Sequence, residues 1–106
     1  MSEFLQITTT TATRHDAEQI AAELVSQRLA GCVQISGPIV STYRWQGKTE
    51  TSEEWICIVK TSREQLAAIK NVIDEIHPYE VPELIATPIV DGSEKYLAWL
   101  KEQLGN

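Results

Sequence analysis

Cys32-Val33-Gln34-Ile35-Ser36-Gly37-Pro38-Ile39-Val40-Ser41-Thr42-Tyr43-Arg44-Trp45-Gln46 is the stretch on which the fold turns. Val33, Ile35, Ile39, Tyr43 and Trp45 fall on one parity and Gln34, Ser36, Thr42, Arg44 and Gln46 on the other, the period of a β-strand. The run is long: fifteen residues would reach roughly 50 Å at about 3.3 Å each, against a typical strand of about five or six residues. Such a strand overruns its own sheet, and Gly37-Pro38 predicts the bulge or bend that lets it do so. A turn near Gly47-Lys48 returns the chain as a further strand, Glu53 to Thr61. Its Trp55-to-Val59 run is apolar on both parities and therefore central.

Outward from that hairpin, the chain reads as a repeated β-α unit. Phe4 to Thr10 is a first strand, its threonines favouring extended backbone through their branched Cβ. From Arg14 to Leu29, Ala17, Ile20, Ala21, Leu24, Val25 and Leu29 recur at helical spacing, with Thr13 as N-cap and Ala30-Gly31 as the glycine-type stop. Ser62-Arg63-Glu64-Gln65 is a capping-box pattern for a second helix with Leu66, Ile69, Ile73 and Ile76 on its core face, stopped by Pro78. Leu84 to Thr87 makes a fourth strand that Pro88 places near an edge. After the turn at Asp91-Gly92-Ser93, Glu94 to Leu104 forms a last helix with Leu97, Leu100 and Leu104 inward and Trp99 beside them. The order β-α-β-β-α-β plus a C-terminal helix is an α+β, ferredoxin-like arrangement: one antiparallel sheet with one face left uncovered. In it the long second strand lies on an edge. A long apolar edge invites pairing with another chain, which predicts a closed homo-oligomer.

With 106 residues, 42% hydrophobic and 23% charged, residues 1–106 fit a single domain with one core. The net charge of −6 repels phosphate backbones and anionic lipid, so no nucleic acid and no membrane partner is expected. Met1 to Gln6 has neither a basic n-region nor a long apolar core, which predicts a cytoplasmic protein. Cys32 and Cys57 are too far apart for a CxxC motif; Cys57 reads as a buried small hydrophobe. An RNA-recognition domain would need a basic-aromatic motif where Glu53-Glu54-Trp55-Ile56-Cys57-Ile58 stands, and a copper chaperone a CxxC loop where Thr8 to Thr11 stands.

The chemistry is densest at His77-Pro78-Tyr79-Glu80-Val81-Pro82-Glu83. Two prolines make this linker stiff, and extended alternation would place His77, Tyr79, Val81 and Glu83 on one side. There is no nucleophile elbow, no phosphate-cradling glycine loop and no HExxH, so no enzymatic activity is expected. His77 reads either as a helix C-terminal residue capping carbonyls or as a metal ligand; with Cys32, Glu80, Glu83 and His15 it completes the donor list, although strand spacing of about 7 Å forbids a chelate within the segment. His15 reads as a solvated side chain. Tyr43, Trp45, Tyr79 and Trp99 read equally as core or interface aromatics and as the walls of a ligand cleft. Lys60, directly after a buried apolar run, is expected to snorkel out or to pair with Glu80 or Glu83 at a polar pocket.

Taken together, Arg28-Leu29-Ala30-Gly31-Cys32-Val33, Tyr43-Arg44-Trp45-Gln46-Gly47-Lys48, Lys60-Thr61, His77-Pro78-Tyr79-Glu80-Val81-Pro82-Glu83 and Tyr96-Leu97-Ala98-Trp99-Leu100 resemble, in order, the pattern of the CutA family of divalent-cation tolerance proteins. The resemblance covers essentially the whole chain. It implies a ferredoxin-like subunit in a tight homotrimer of PII-like architecture, with the long β-ribbon pairing across subunits. It also implies a link to copper and other divalent cations, with no required cofactor and no enzymatic activity. Copper sites proposed in the family draw on a strand-one cysteine and a histidine pair; this chain keeps one histidine as His77 but has Ile76 and Thr9 at the other positions, leaving Cys32 as the further soft ligand. The metal candidates are therefore His77 and Cys32. The inter-subunit cleft candidates are Tyr43, Trp45, Lys60, Tyr79, Glu80, Glu83 and Trp99, expected to hold a small anionic or zwitterionic metabolite on a carrier or sensor reading.

Overall fold

Strand β1 (Phe4–Thr11) runs at the centre of the sheet in the computed structural model, which describes residues 2–105. It is followed by α1 (Arg14–Ser26), β2 (Cys32–Trp45), β3 (Lys48–Ser62), α2 (Leu66–Ile76), β4 (Ile85–Pro88) and α3 (Glu94–Gln103). The sheet order is β2-β3-β1-β4 with every pairing antiparallel, which leaves β2 on one edge and β4 on the other. This is the ferredoxin-like α+β order expected from the sequence.

Alternation divides each strand between two faces. Ile7, Val59 and Cys57 point towards α1 and α2, where Ile20, Leu24, Ile69, Val72 and Ile73 close the core over them. Val72 joins Ile69 and Ile73 as the buried residues of α2, and Ile76, expected on the core face, is left exposed. The opposite face carries Gln6, Thr8, Ile56, Ile58 and Lys60, and Tyr96 of α3 meets Lys60 there at 5.8 Å.

The β2–β3 hairpin is longer than expected on its return arm, since β3 begins at Lys48 and not at Glu53. Together the two arms project from the sheet and stretch the molecule to 45 × 25 × 22 Å. Between Ser36, opposite Ile56, and Ile39, opposite Glu54, β2 advances three residues while β3 advances two. That extra residue at Gly37-Pro38 is the expected bulge, with a consequence that simple alternation does not convey. Ile35 lies opposite Cys57 on the helix-covered face, whereas Ile39, Tyr43 and Trp45 follow the parity of Glu54 and lie on the opposite one. The ribbon's aromatic side therefore belongs to the open face of the sheet. At Gly37 a Cβ would stand 2.8 Å from Cε3 of Trp55, so the bulge closes against that ring.

Helix ends depart from the expected boundaries in instructive ways. Thr13 caps α1 by accepting from the Asp16 N–H at 3.1 Å, as expected. The helix stops at Ser26, and the left-handed residue that ends it is Arg28 (φ 60°), not glycine. Gly31 serves packing instead: a Cβ there would meet Leu100 Cδ1 at 2.5 Å, so its absence lets α3 approach. Ser62 makes no side-chain cap; a single 3-10 turn, Arg63–Gln65, leads into α2. Pro88 is the last residue of β4, which lies at an edge of the sheet, so it both limits the strand and sits where no further ladder bond is needed.

Candidate functional site

Helix α2 ends where His77 turns to extended backbone (φ −74°, ψ 129°), its N–H still bonded to the Ile73 carbonyl at 2.9 Å. The ring is buried, only 8% exposed. Its Nδ1 accepts the Tyr79 N–H at 3.0 Å and its Nε2 lies 2.8 Å from the Thr10 carbonyl of β1. An acceptor at Nδ1 and a carbonyl at Nε2 define the neutral ring with its proton on Nε2. Neither nitrogen has a lone pair left for a metal ion. His77 is thus a backbone clamp between the linker and β1: its ring reaches the Thr10 carbonyl of β1 and not the helix-end carbonyls it was expected to cap.

The second metal candidate is elsewhere. Cys32 lies opposite Lys60, which lies opposite Gln6, whereas His77 is fastened at Thr10. Four residues along β1 separate the two levels, roughly 13 Å at about 3.3 Å per residue. Within one chain Cys32 and His77 cannot share an ion, and among the described residues no three of His, Cys, Asp and Glu converge in a metal-binding group. Thr9, at the position of the family's strand-one cysteine, is buried on the helix side opposite Cys57, and its Oγ1 has no hydrogen-bond partner. Cys57 is fully buried; its thiol points to the Ala17 carbonyl at 3.7 Å, and burial pushes its pKa up to about 11.

The His77 clamp sets the path of the linker. The chain bends through Pro78–Val81 instead of continuing as an extended run, so the expected alternation holds for His77 and Tyr79, which are sheltered, and fails at Val81, which is exposed. The Tyr79 ring packs on His77 with centroids 4.8 Å apart, and its hydroxyl donates to Glu54 Oε2 at 2.7 Å. Burial, then the bond to the Glu54 carboxylate, holds the Tyr79 phenol well above the usual tyrosine range. Between this linker and the base of the ribbon opens a cleft of about 570 Å³. Tyr43, Trp45, Tyr79, Glu80 and Glu83, expected at a cleft between subunits, line this cleft within one subunit together with Thr10, Ser41, Thr42, Val81 and Glu54.

Glu54 is the residue sequence reasoning missed. In the sequence, Glu53-Glu54 reads as the polar start of a buried strand, and only the signal of its parity, shared with Tyr43 across the bulge, could have placed it in the cleft. It is 8% exposed, and among the described residues no basic side chain lies within ion-pair distance of it.

Within one subunit, two of the residues expected at an inter-subunit cleft, Lys60 and Trp99, lie in a separate cluster near Cys32. Lys60 does not pair with Glu80 or Glu83; its ammonium sits 5.8 Å from the Tyr96 ring centroid, and Tyr96 in turn stacks at 5.6 Å on Trp99, which is largely exposed. The register places them there, because Lys60 is level with Cys32 while the cleft is level with Glu54. The Tyr96 phenol is shifted upward, by burial first and then by the neighbouring Cys32. With Lys60 elsewhere, the cleft is lined by three carboxylates and by neither lysine nor arginine. A metabolite that is only anionic finds no counter-charge in it.

Fold and cleft together define a ferredoxin-like protein with an aromatic and acidic cleft at the root of an edge ribbon. The sequence profile described as "CutA1 divalent ion tolerance protein" matches residues 5–103. The "Divalent-cation tolerance protein CutA" of Thermus thermophilus is 43% identical over 89 residues, covering 84% of this chain and 86% of that protein. "Protein CutA, chloroplastic" of Arabidopsis thaliana is 39% identical over 92% of this chain, which spans 53% of the plant protein. This chain likewise spans only about half, 48%, of the human "Protein CutA". Among solved structures, the Thermus thermophilus divalent cation tolerance protein superposes with a TM-score of 0.94 at 38% identity, over 96% of this chain and 99% of its own. CutA1 from Oryza sativa gives a TM-score of 0.95 at 35% identity, over 99% and 96%. The chain belongs to the CutA family of divalent-cation tolerance proteins. No described helix is long and apolar enough to cross a membrane.

Proposed function

We propose that this chain is the subunit of a non-catalytic, cytoplasmic homotrimer that contributes to divalent-cation tolerance by binding copper or another divalent ion with donors from more than one subunit. The observation that carries the reading is the outer edge of β2. Fourteen residues of strand lie at the sheet's edge, with Val40 72% exposed along it. An edge so long and apolar favours a second chain over water. Closed symmetry leaves no such edge free, and the CutA resemblance favours three copies. Since one subunit's described residues gather no set of three donors, a metal site needs a neighbour's. Cys32, a partly buried free thiol, is the soft donor each subunit retains. The names of relatives, "Divalent-cation tolerance protein CutA" among them, support the same role.

Native mass spectrometry tests the assembly, with trimer expected and a monodisperse monomer at micromolar concentration refuting it. Copper titration by calorimetry tests the metal: binding tighter than about millimolar, weakened in Cys32→Ala, is expected. Binding weaker than that, or indifferent to Cys32→Ala, counts against it.

A second reading is favoured by the cleft itself. Its volume of about 570 Å³ lies within the roughly 300 to 1,000 Å³ of small-molecule sites, and aromatic walls with a few polar groups are their usual lining. On this reading the protein carries or senses a small metabolite, and a metabolite panel that never raises the melting temperature of the trimer defeats it.

A further inference from the structure

We propose that the cleft between the ribbon and the His77–Glu83 linker selects an organic ammonium ion, a protonated alkylamine or a quaternary ammonium, over both anions and bare metal ions. This assignment rests on the carrier reading, in which the cleft holds a small molecule, and names the class of that molecule. Tyr43, Trp45 and Tyr79 bring three aromatic side chains to one cleft. Ring faces attract cations through their quadrupole, and they shed water readily enough to receive methylene or methyl groups. Glu54 supplies the charge. The residue is 8% exposed, one carboxylate oxygen accepts from the Tyr79 hydroxyl, and no basic side chain among the described residues pairs with it. No basic side chain neutralises that carboxylate within one subunit, and a cation entering the cleft would be attracted to it. Glu80 and Glu83 stand at the same opening.

The geometry disfavours the competing occupants. A hard divalent ion wants roughly six or more oxygens within about 2.6 Å, whereas within one subunit the described His, Cys, Asp and Glu residues nowhere converge in threes. An anion would face three carboxylates and no basic residue in the lining. An organic ammonium needs neither a chelate nor a fixed coordination number, only carboxylate charge and ring faces around a roomy space.

Calorimetry on the native assembly, with tetramethylammonium and 1,4-diaminobutane as probes and sodium acetate and magnesium chloride as comparators, tests the proposal. Saturable binding of at least one ammonium probe is expected, with neither comparator binding in the cleft. Glu54→Gln keeps an acceptor for Tyr79 and should weaken the probe at least tenfold; Trp45→Leu should do the same, and Trp99→Leu, outside the cleft, should leave it unchanged. Circular dichroism and native mass confirm that each variant folds and assembles. Failure of both probes to bind, binding indifferent to Glu54→Gln and Trp45→Leu, or magnesium displacing the probe one for one would each overturn the proposal. Should acetate or another anion saturate the cleft, the ammonium assignment falls while the carrier reading survives. Should no small molecule shift the melting temperature, both fall together.

Discussion

His77 and Thr9 show how little a side chain's identity says until its neighbours are known. As a type, histidine is a metal ligand; with both nitrogens bonded to backbone it becomes the clamp that aims Tyr79 at Glu54. Thr9 is fully buried with an unpartnered hydroxyl. Replacing such a group by an apolar isostere removes a desolvation cost, so Thr9→Val should raise stability by about 1 kcal/mol, read from the urea midpoint at unchanged slope. Cys57 makes a prediction in pH. Its folded pKa, about 11, lies above the ordinary thiol value of 9.0. The unfolded thiol therefore ionises first: the contribution to stability is whole below about pH 9 and is lost as pH rises towards 11. Part of the alkaline fall in the unfolding midpoint should vanish in Cys57→Val, and an unchanged profile would show that other groups dominate.

Among elements, the β2 bulge does the most to place the candidate site. Without its extra residue, Tyr43 and Trp45 would continue on the parity of Ile35, on the helix side of the sheet and away from Glu54. The presence of a bulge was legible at Gly37-Pro38, but its effect on facing was not, because that depends on how many residues the partner strand advances. Gly31 carries the element-level prediction. A Cβ there would stand 2.5 Å from Leu100 Cδ1, so Gly31→Ala should force the buried Leu100 side chain to repack and destabilise by about 1 to 3 kcal/mol by denaturant unfolding. By sequence the position reads as a helix stop, yet the left-handed residue that ends α1 is Arg28.

For the whole molecule, the projecting ribbon and the unpaired β2 edge matter together. A charge at Val40, 72% exposed on the ribbon, costs the isolated subunit little, whereas in the proposed trimer the edge contact would bury it. Val40→Glu should therefore yield a folded species of lower mass in native spectrometry, with far-UV circular dichroism preserved. Intact assembly in that variant would place the contact elsewhere.

Periodicity and turn residues alone carried the element order, the edge position of β2 and the covered and open faces of the sheet, since strand and helix periods are local properties of the chain. The aromatic and acidic character of the cleft was also present in the sequence, in Tyr43, Trp45, Tyr79, Glu80 and Glu83. Tertiary structure decided the rest. Register put Lys60 and Trp99 beside Cys32 and away from those carboxylates, brought Glu54 under Tyr79, and occupied both nitrogens of His77. Each of these depends on which residues of distant strands come level, a quantity set by strand pairing and the bulge and carried by no local pattern.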